Sequence, residues 1–173
     1  DNSGATVTNT FTFDNTKHVD ESGVKASAQF KFHASANAEY FGSVVAYIKL
    51  TSNDSGGNRT RYFRLTNNAA DVNGSTTNIT IGSETVVAYF VKMVTDAGAD
   101  AANTVRVTNF KNAIDAAFGP NQFTFTETDN GSNTATLTIT QLLSGTAGNT
   151  SIDDTVRGFH VAGDNAIIGG TAL

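Results

Sequence analysis

Residues 122–141 read QFTFTETDNGSNTATLTITQ. Apolar and polar residues alternate on either side of NGSN (130–133), which is the pattern of two half-buried strands joined by a turn. The apolar side chains share one parity: Phe123, Phe125, Leu137 and Ile139. Threonine fills most of the other parity. This hairpin predicts a sheet with one face on a core and a threonine-rich face that meets solvent or a neighbouring subunit.

The same alternation predicts strands elsewhere in the chain. They cover residues 5–13, 27–34, 43–51, 59–66, 75–82 and 85–94, and a last strand starts at 151–154. The turn sequence SNDSGGN (52–58) joins two of these strands into a second hairpin over 43–66. The strand at 85–94 is apolar on both parities, which indicates a central strand covered on both faces.

One segment, about 101–118, has the pattern of a helix. Apolar residues recur there every three or four positions: Val107, Phe110, Ile114 and Phe118. Asp100 or Asn103 is predicted to cap its start. Gly119 followed by Pro120 predicts its end, because glycine takes the left-handed cap conformation and proline cannot continue a helix.

The order of these elements predicts a β-dominated α+β fold. Antiparallel hairpins form a sheet or a small sandwich, and the single helix packs on one face. We divide the chain into N-terminal strands or an arm (1–42), a core β-rich domain (43–154) and a C-terminal tail (155–173).

Composition excludes several classes of function. The 173 residues include no Cys and no Trp, and only 16% of them are charged. Without cysteine there is no disulfide, thiol nucleophile or Cys-ligated metal. A net charge of −5 with 11 Lys and Arg argues against a nucleic-acid partner. No apolar run reaches the roughly 20 residues of a membrane span.

Candidate catalytic residues form no recognisable motif. His18, His33 and His160 are scattered, and none has a Ser or Asp partner at a catalytic spacing. The pairs Asp20-Glu21 and Asp153-Asp154 are neighbours in sequence, whereas a glycosidase needs two carboxyl groups about 5–9.5 Å apart across a cleft. We therefore predict that the protein is not an enzyme.

The sequence also contains no recognisable motif for binding a phosphate-containing cofactor or calcium. The glycine-rich stretch 144–150 lacks the Lys-Ser/Thr of a phosphate-binding loop. Carboxylate-rich loops could bind calcium through their oxygens, but no EF-hand pattern is present. We predict no cofactor, with calcium as the alternative.

The basic residues concentrate in one strand. Arg59, Arg61 and Arg64 flank Tyr62 and Phe63, and interleaving of this kind can stack on nucleic acid. The three arginines do not share one parity, so no single basic stripe forms. We interpret them as a solvated strand or as partners of acidic groups across a subunit contact.

The segment from about 43 to 152 resembles a β-rich module found in virion proteins of tailed bacteriophages, particularly of aquatic bacteriophages. The resemblance lies mainly in FKNAIDAAFG (110–119) and TLTITQLLSGTAGNTSI (136–152). Such modules occur in capsid decoration, head-fibre and tail-fibre proteins. The resemblance implies a structural protein and assigns no catalytic residue.

We therefore expect a non-enzymatic structural protein on the outer surface of a virion, a capsid decoration (cement) protein of a tailed bacteriophage. Its partners would be further copies of itself and a major capsid or other virion protein, with no nucleic acid and no membrane. The alternative is a subunit of a bacterial extracellular filament or adhesive fibre assembled by N-terminal strand exchange. A carbohydrate-binding β-module ranks third, because such modules normally present Trp or Tyr platforms and this chain has no Trp.

We predict subunit contacts in three places: the N-terminal segment, the arginine-containing strand 59–66 and the apolar C-terminal tail. Residues 1–34 are hypothesised to reach out and add a strand to an adjacent subunit. The candidate subunit contacts are Val7, Phe11, Phe13, Arg59, Arg61, Ile167, Ile168 and Leu173.

Overall fold

The computed structural model describes residues 24–33, 47–54, 57–93, 99–131, 134–144, 149–154 and 166–167. Its strands are β1 (Lys25–His33), β2 (Tyr47–Asp54), β3 (Gly57–Thr66), β4 (Thr76–Ile81), β5 (Glu84–Lys92), β6 (Phe123–Gly131), β7 (Thr134–Ser144), β8 (Thr150–Asp154) and β9 (Ala166–Ile167). The helix of the described part is α1 (Ala99–Phe118). Two sheets and this helix confirm the predicted β-dominated α+β fold.

The smaller sheet has three antiparallel strands in the order β1-β7-β6. Phe125 lies opposite Ile139, and Leu137 lies opposite Phe30, so the predicted hairpin is confirmed. Its inward parity is confirmed as well, because Leu137 and Ile139 are fully buried and Phe125 packs against the core. Phe30 and Phe32 of β1 are fully buried. Residues 25–33 therefore belong to the core of this chain rather than to a separate arm. The hypothesis that residues 1–34 add a strand to an adjacent subunit is therefore wrong for residues 25–33, because β1 pairs with β7 of its own chain.

The larger sheet has six strands in the order β4-β5-β3-β2-β8-β9. The predicted hairpin of β2 and β3 is confirmed, with Ile48 opposite Phe63. A second hairpin, of β4 and β5, lies beside it, and β5 runs parallel to β3. The connection 67–75 allows β3 and β5 to be parallel, because it carries the chain from the end of β3 past the end of β5 to the start of β4.

The prediction that the strand at 85–94 is covered on both faces holds for its second half. Ala88 and Val91 lie on opposite parities of β5, and both are fully buried. Val87, by contrast, is 55% exposed. The first half of β5 is therefore open to solvent on one side.

Helix α1 contributes side chains to a core that both sheets share. The Phe110 ring packs edge-on against Phe30 of the smaller sheet, with centroids 5.1 Å apart. It also packs edge-on against Phe63 of the larger sheet at 5.6 Å. Edge-to-face aromatic pairs of this kind stabilise a core beyond the area they bury. One helical side chain thus links both sheets.

The ends of α1 confirm one prediction and correct the other. Gly119 has a φ of 89°, and its amide donates to the Asp115 carbonyl at 2.9 Å, as expected of a glycine C-cap. At the start, the helix already includes Asp100 and Asn103. Asn103 is fully buried, and its Oδ1 accepts from Arg106 Nη1 at 3.0 Å, so it is not a cap.

Candidate functional site

The outer face of the smaller sheet is a regular array of threonines. The strand register places Thr124 opposite Thr140, Thr126 opposite Thr138 and Thr128 opposite Thr136. On the other side of β7, the same rows continue into Ser27, Gln29 and Lys31 of β1. We call these nine residues the threonine face. Its central threonines are confirmed on the parity that the alternation predicted.

Two hydroxyls of the threonine face accept hydrogen bonds from neighbouring side-chain amides. Gln29 Nε2 donates to Thr138 Oγ1 at 3.4 Å, and Asn130 Nδ2 donates to Thr136 Oγ1 at 2.7 Å. Lys31 is the one charged residue among the nine. Threonine is β-branched and stiff at χ1, so it loses little conformational entropy when a partner covers it. The arrangement suits contact with another surface rather than acid–base chemistry.

The opposite side of β6 is fastened to the helix. Glu127 Oε1 lies 3.2 Å from Lys111 Nζ, and Glu127 Oε2 accepts from Thr108 Oγ1 at 2.6 Å. Burial raises the pKa of the nearby Asp115 carboxyl, and the positive charge of Lys111 offsets part of that rise. The two contacts of Glu127 therefore join β6 to α1.

Arg61 lies at the C-terminal end of α1. Its Nε donates to the Ala117 carbonyl at 3.1 Å, and its Nη1 donates to the Thr60 carbonyl at 3.0 Å. The guanidinium also lies 5.9 Å from the centre of the Phe118 ring. A cation at a helix C-terminus is stabilised by the helix dipole. Arg61 is therefore held in a fixed position by its own chain.

The other arginines of β3 differ from Arg61. Arg64 lies on the opposite parity, where its guanidinium is 5.6 Å from the centre of the Phe90 ring. Arg59 shares the parity of Arg61 and is partly buried. The three side chains thus do not form one basic stripe, as the parity argument predicted.

A cleft lies beside Arg61, between the first halves of β3 and β5. Its volume is about 350 Å³, and it is lined by Thr60, Arg61, Tyr62, Val86, Val87 and Tyr89. We call it the fork cleft, because β3 and β5 pair only from Tyr62 and Ala88 onward. The charged group in its wall is the Arg61 guanidinium.

The remaining predicted contact residues fall mostly outside the described part. Val7, Phe11, Phe13, Ile168 and Leu173 lie outside it. Ile167 lies in β9, where its backbone pairs with Thr150. Of the predicted contact residues that the structure describes, Arg59 and Arg61 therefore lie together on β3, and Ile167 lies on β9.

Sequence reasoning missed a buried polar junction around Gln141. Gln141 Oε1 accepts from the Asn53 amide at 3.3 Å, and its Nε2 donates to the Thr51 carbonyl and to Thr150 Oγ1, both at 3.1 Å. Its side-chain amide thus takes the place of a peptide group beside β2 and joins β7 to the larger sheet. Glutamine on the inward parity of β7 was the available signal.

A second missed junction ties the connection 67–75 to the helix. Asn73 Oδ1 accepts from the Lys92 amide at 2.9 Å, and Asn73 Nδ2 donates to the Asn109 carbonyl at 2.9 Å. Asn109 Nδ2 in turn donates to the Lys92 carbonyl at 2.8 Å. These bonds give hydrogen-bond partners to the backbone amide and carbonyl of Lys92, the last residue of β5. No pattern in the sequence marks these two asparagines among the many others.

The titratable candidates do not converge in the described part of the chain. His18, His160 and the pair Asp20-Glu21 lie outside it, and only the backbones of His33 and Asp153-Asp154 are placed, in β1 and β8. Within the described ranges, no three His, Cys, Asp or Glu side chains are grouped as a metal site would require. The helix of the described part is not long and apolar enough to cross a membrane.

Comparison with known proteins finds no matching family model, no matching curated protein and no matching solved structure. The resemblance to phage virion modules therefore stays a prediction from the sequence.

Proposed function

We propose that this protein is a non-enzymatic structural subunit of a virus particle, a capsid decoration protein of the tailed-bacteriophage type. It would lie on the outer surface of the virion and act through contacts with its own copies and with a major capsid protein. The threonine face is the observation that carries the proposal.

The threonine face supports an assembly role on physical grounds. Three rows of side chains on three hydrogen-bonded strands form a broad surface with a single charge. Depletion of charge is typical of the buried centre of a protein interface. Stiff side chains keep the entropic cost of binding low. The exposed threonines of β6 (Thr124, Thr126 and Thr128) offer methyl groups and hydroxyls to a partner, whereas Thr136 of β7 is buried.

The free edges of the sheets support the same role. In the described pairing, β4 is an outer strand of the larger sheet, and its sequence TTNITI has no charge and no proline. Edge strands that lack such protection readily pair with another chain. This edge also favours the second candidate, a filament subunit that assembles by strand addition.

Imaging of the natural source tests the proposal. Gold-labelled antibody against the full chain is applied to the virus-sized fraction and viewed by negative-stain microscopy. We expect label at regular positions on icosahedral heads. Label along filaments would favour the fibre subunit instead, and label on neither kind of object would contradict both assignments.

A further inference from the structure

The fork cleft is a gap in the larger sheet with an apolar wall. Residues 57–61 of β3 pair with β2, and residues 84–87 of β5 pair with β4, but the two segments do not pair with each other in the described register. Val87 at the cleft is 55% exposed although it is apolar. The fold thus leaves a gap with an exposed valine at this point.

The lining of the fork cleft is typical of an interface hot spot. Two tyrosines, two valines and an arginine surround a volume of about 350 Å³. Tyrosine and arginine are enriched where a few residues carry most of the energy of a protein contact. This volume is near the lower limit of ligand pockets, so it has room for one aromatic side chain and not for a folded segment.

Arg61 gives the cleft a fixed positive charge. The helix carbonyl of Ala117 and the Thr60 carbonyl take two of its five N–H donors. Because these bonds hold the guanidinium in place, a carboxylate would meet a preorganised partner there. A matching ligand would therefore carry an aromatic ring next to an acidic group.

The chain itself contains such a pair ahead of the described residues. Phe13 ends the uncharged alternating stretch 5–13, and Asp14 follows it directly. Residues 1–23 carry four carboxylates and one lysine, whereas β3 carries three arginines and no acid. Of these arginines, Arg61 lines the fork cleft, so the complementarity at the cleft is between its charge and the Asp14 carboxylate.

We infer that the fork cleft receives the Phe13 side chain of a second copy of this chain, with the Asp14 carboxylate on Arg61. This inference rests on the proposed assembly role and names one of its contacts. It also explains why an arginine that is fastened to its own helix lies beside an open apolar cleft.

Disulfide trapping tests this contact, since the natural chain has no cysteine. A full-length Phe13→Cys chain is mixed with a full-length Val87→Cys chain under mild oxidation, and the linked dimer is measured by non-reducing electrophoresis and mass spectrometry. The control pairs Phe13→Cys with Val72→Cys, because Val72 is a similarly exposed valine (66%) outside the cleft. We expect the Val87 pair to link at least fivefold more than the Val72 pair. Equal yields would overturn the inference.

A chain that carries both Phe13→Cys and Val87→Cys tests which copy supplies the ring. Links between chains support the inference, and links within single chains overturn it.

An equilibrium measurement of self-association tests the same contact. Phe13→Ala should weaken self-association about tenfold, whereas Thr12→Ala, on the other parity, should change it less than twofold. If the chain self-associates but neither effect appears, only this contact fails. If the chain does not self-associate at any concentration, the proposed assembly role fails as well.

Discussion

The two sheets share one core and differ on their other faces. In the smaller sheet, apolar side chains of all three strands face the core, and threonines of β6 and β7 line the outer face. The larger sheet is buried on both faces at Ala88 and Val91, and it opens into the fork cleft at the other end of β5. One sheet thus presents a regular surface, and the other presents a local gap.

This difference separates two ways of forming a contact. A regular, stiff face with a single charge can match a broad partner surface through many weak contacts. A cleft with an arginine and two tyrosines can hold one side chain firmly. The helix and two polar junctions hold the two sheets together, so that both kinds of surface belong to a single body.

Phe110→Ala should have the largest effect, because the Phe110 ring contacts Phe30 and Phe63 on different sheets. We expect a loss of about 3–5 kcal/mol in the free energy of unfolding. Urea unfolding followed by circular dichroism measures it. The control, Val105→Ala, changes a partly exposed residue of the same helix and should cost less than about 1 kcal/mol. Similar losses for both variants would mean that the sheets do not share a core at Phe110.

Gln141→Leu should have the next largest effect. It would leave the part-buried Asn53 amide without its acceptor, whereas the Thr51 carbonyl would keep its bond from Thr150 Oγ1 at 2.7 Å. Unsatisfied buried groups cost about 1–3 kcal/mol. Gln29→Leu is the matched control, since Gln29 is an exposed glutamine on the outer face of the same sheet. If thermal unfolding shows equal stability for the two variants, the Gln141 junction contributes nothing.

Asp115→Asn should have the smallest effect, and its sign depends on pH. Burial raises the pKa of this carboxyl when the chain folds. The folded state therefore binds the proton more tightly, and stability falls as pH rises from the ordinary pKa of 3.8 through the raised value. We expect the asparagine variant to gain stability relative to the natural chain across that window and to keep the gain at neutral pH. A difference in stability that does not change with pH would contradict this assignment.

The hairpins and their buried parities were predictable because alternation directly reports which face of a strand is covered. Phe123, Leu137 and Ile139 were assigned to the core on that basis, and all three are buried there. Alternation carries no information about which strand lies next to which. The parallel pairing of β3 with β5 and the core position of β1 therefore became visible only in the structure.

The polar junctions and the fork cleft were harder to predict for a related reason. Gln141 and Asn73 act through backbone groups far away in the sequence, and many Asn, Gln and Thr residues look alike before folding. The cleft depends on where two parallel strands stop pairing. Such features follow from tertiary packing rather than from local pattern.

The central claim is that the threonine face is an assembly surface. Self-association of the full chain, measured by sedimentation equilibrium, tests it with the double variant Thr126→Lys/Thr138→Lys, which places two charges in the middle row. The control, Ala70→Lys/Asn112→Lys, adds the same charge at exposed positions in the connection 67–75 and on α1, away from the fork cleft. We predict that the control associates like the natural chain and that the middle-row variant associates at least tenfold more weakly. Equal association of both variants would contradict the account.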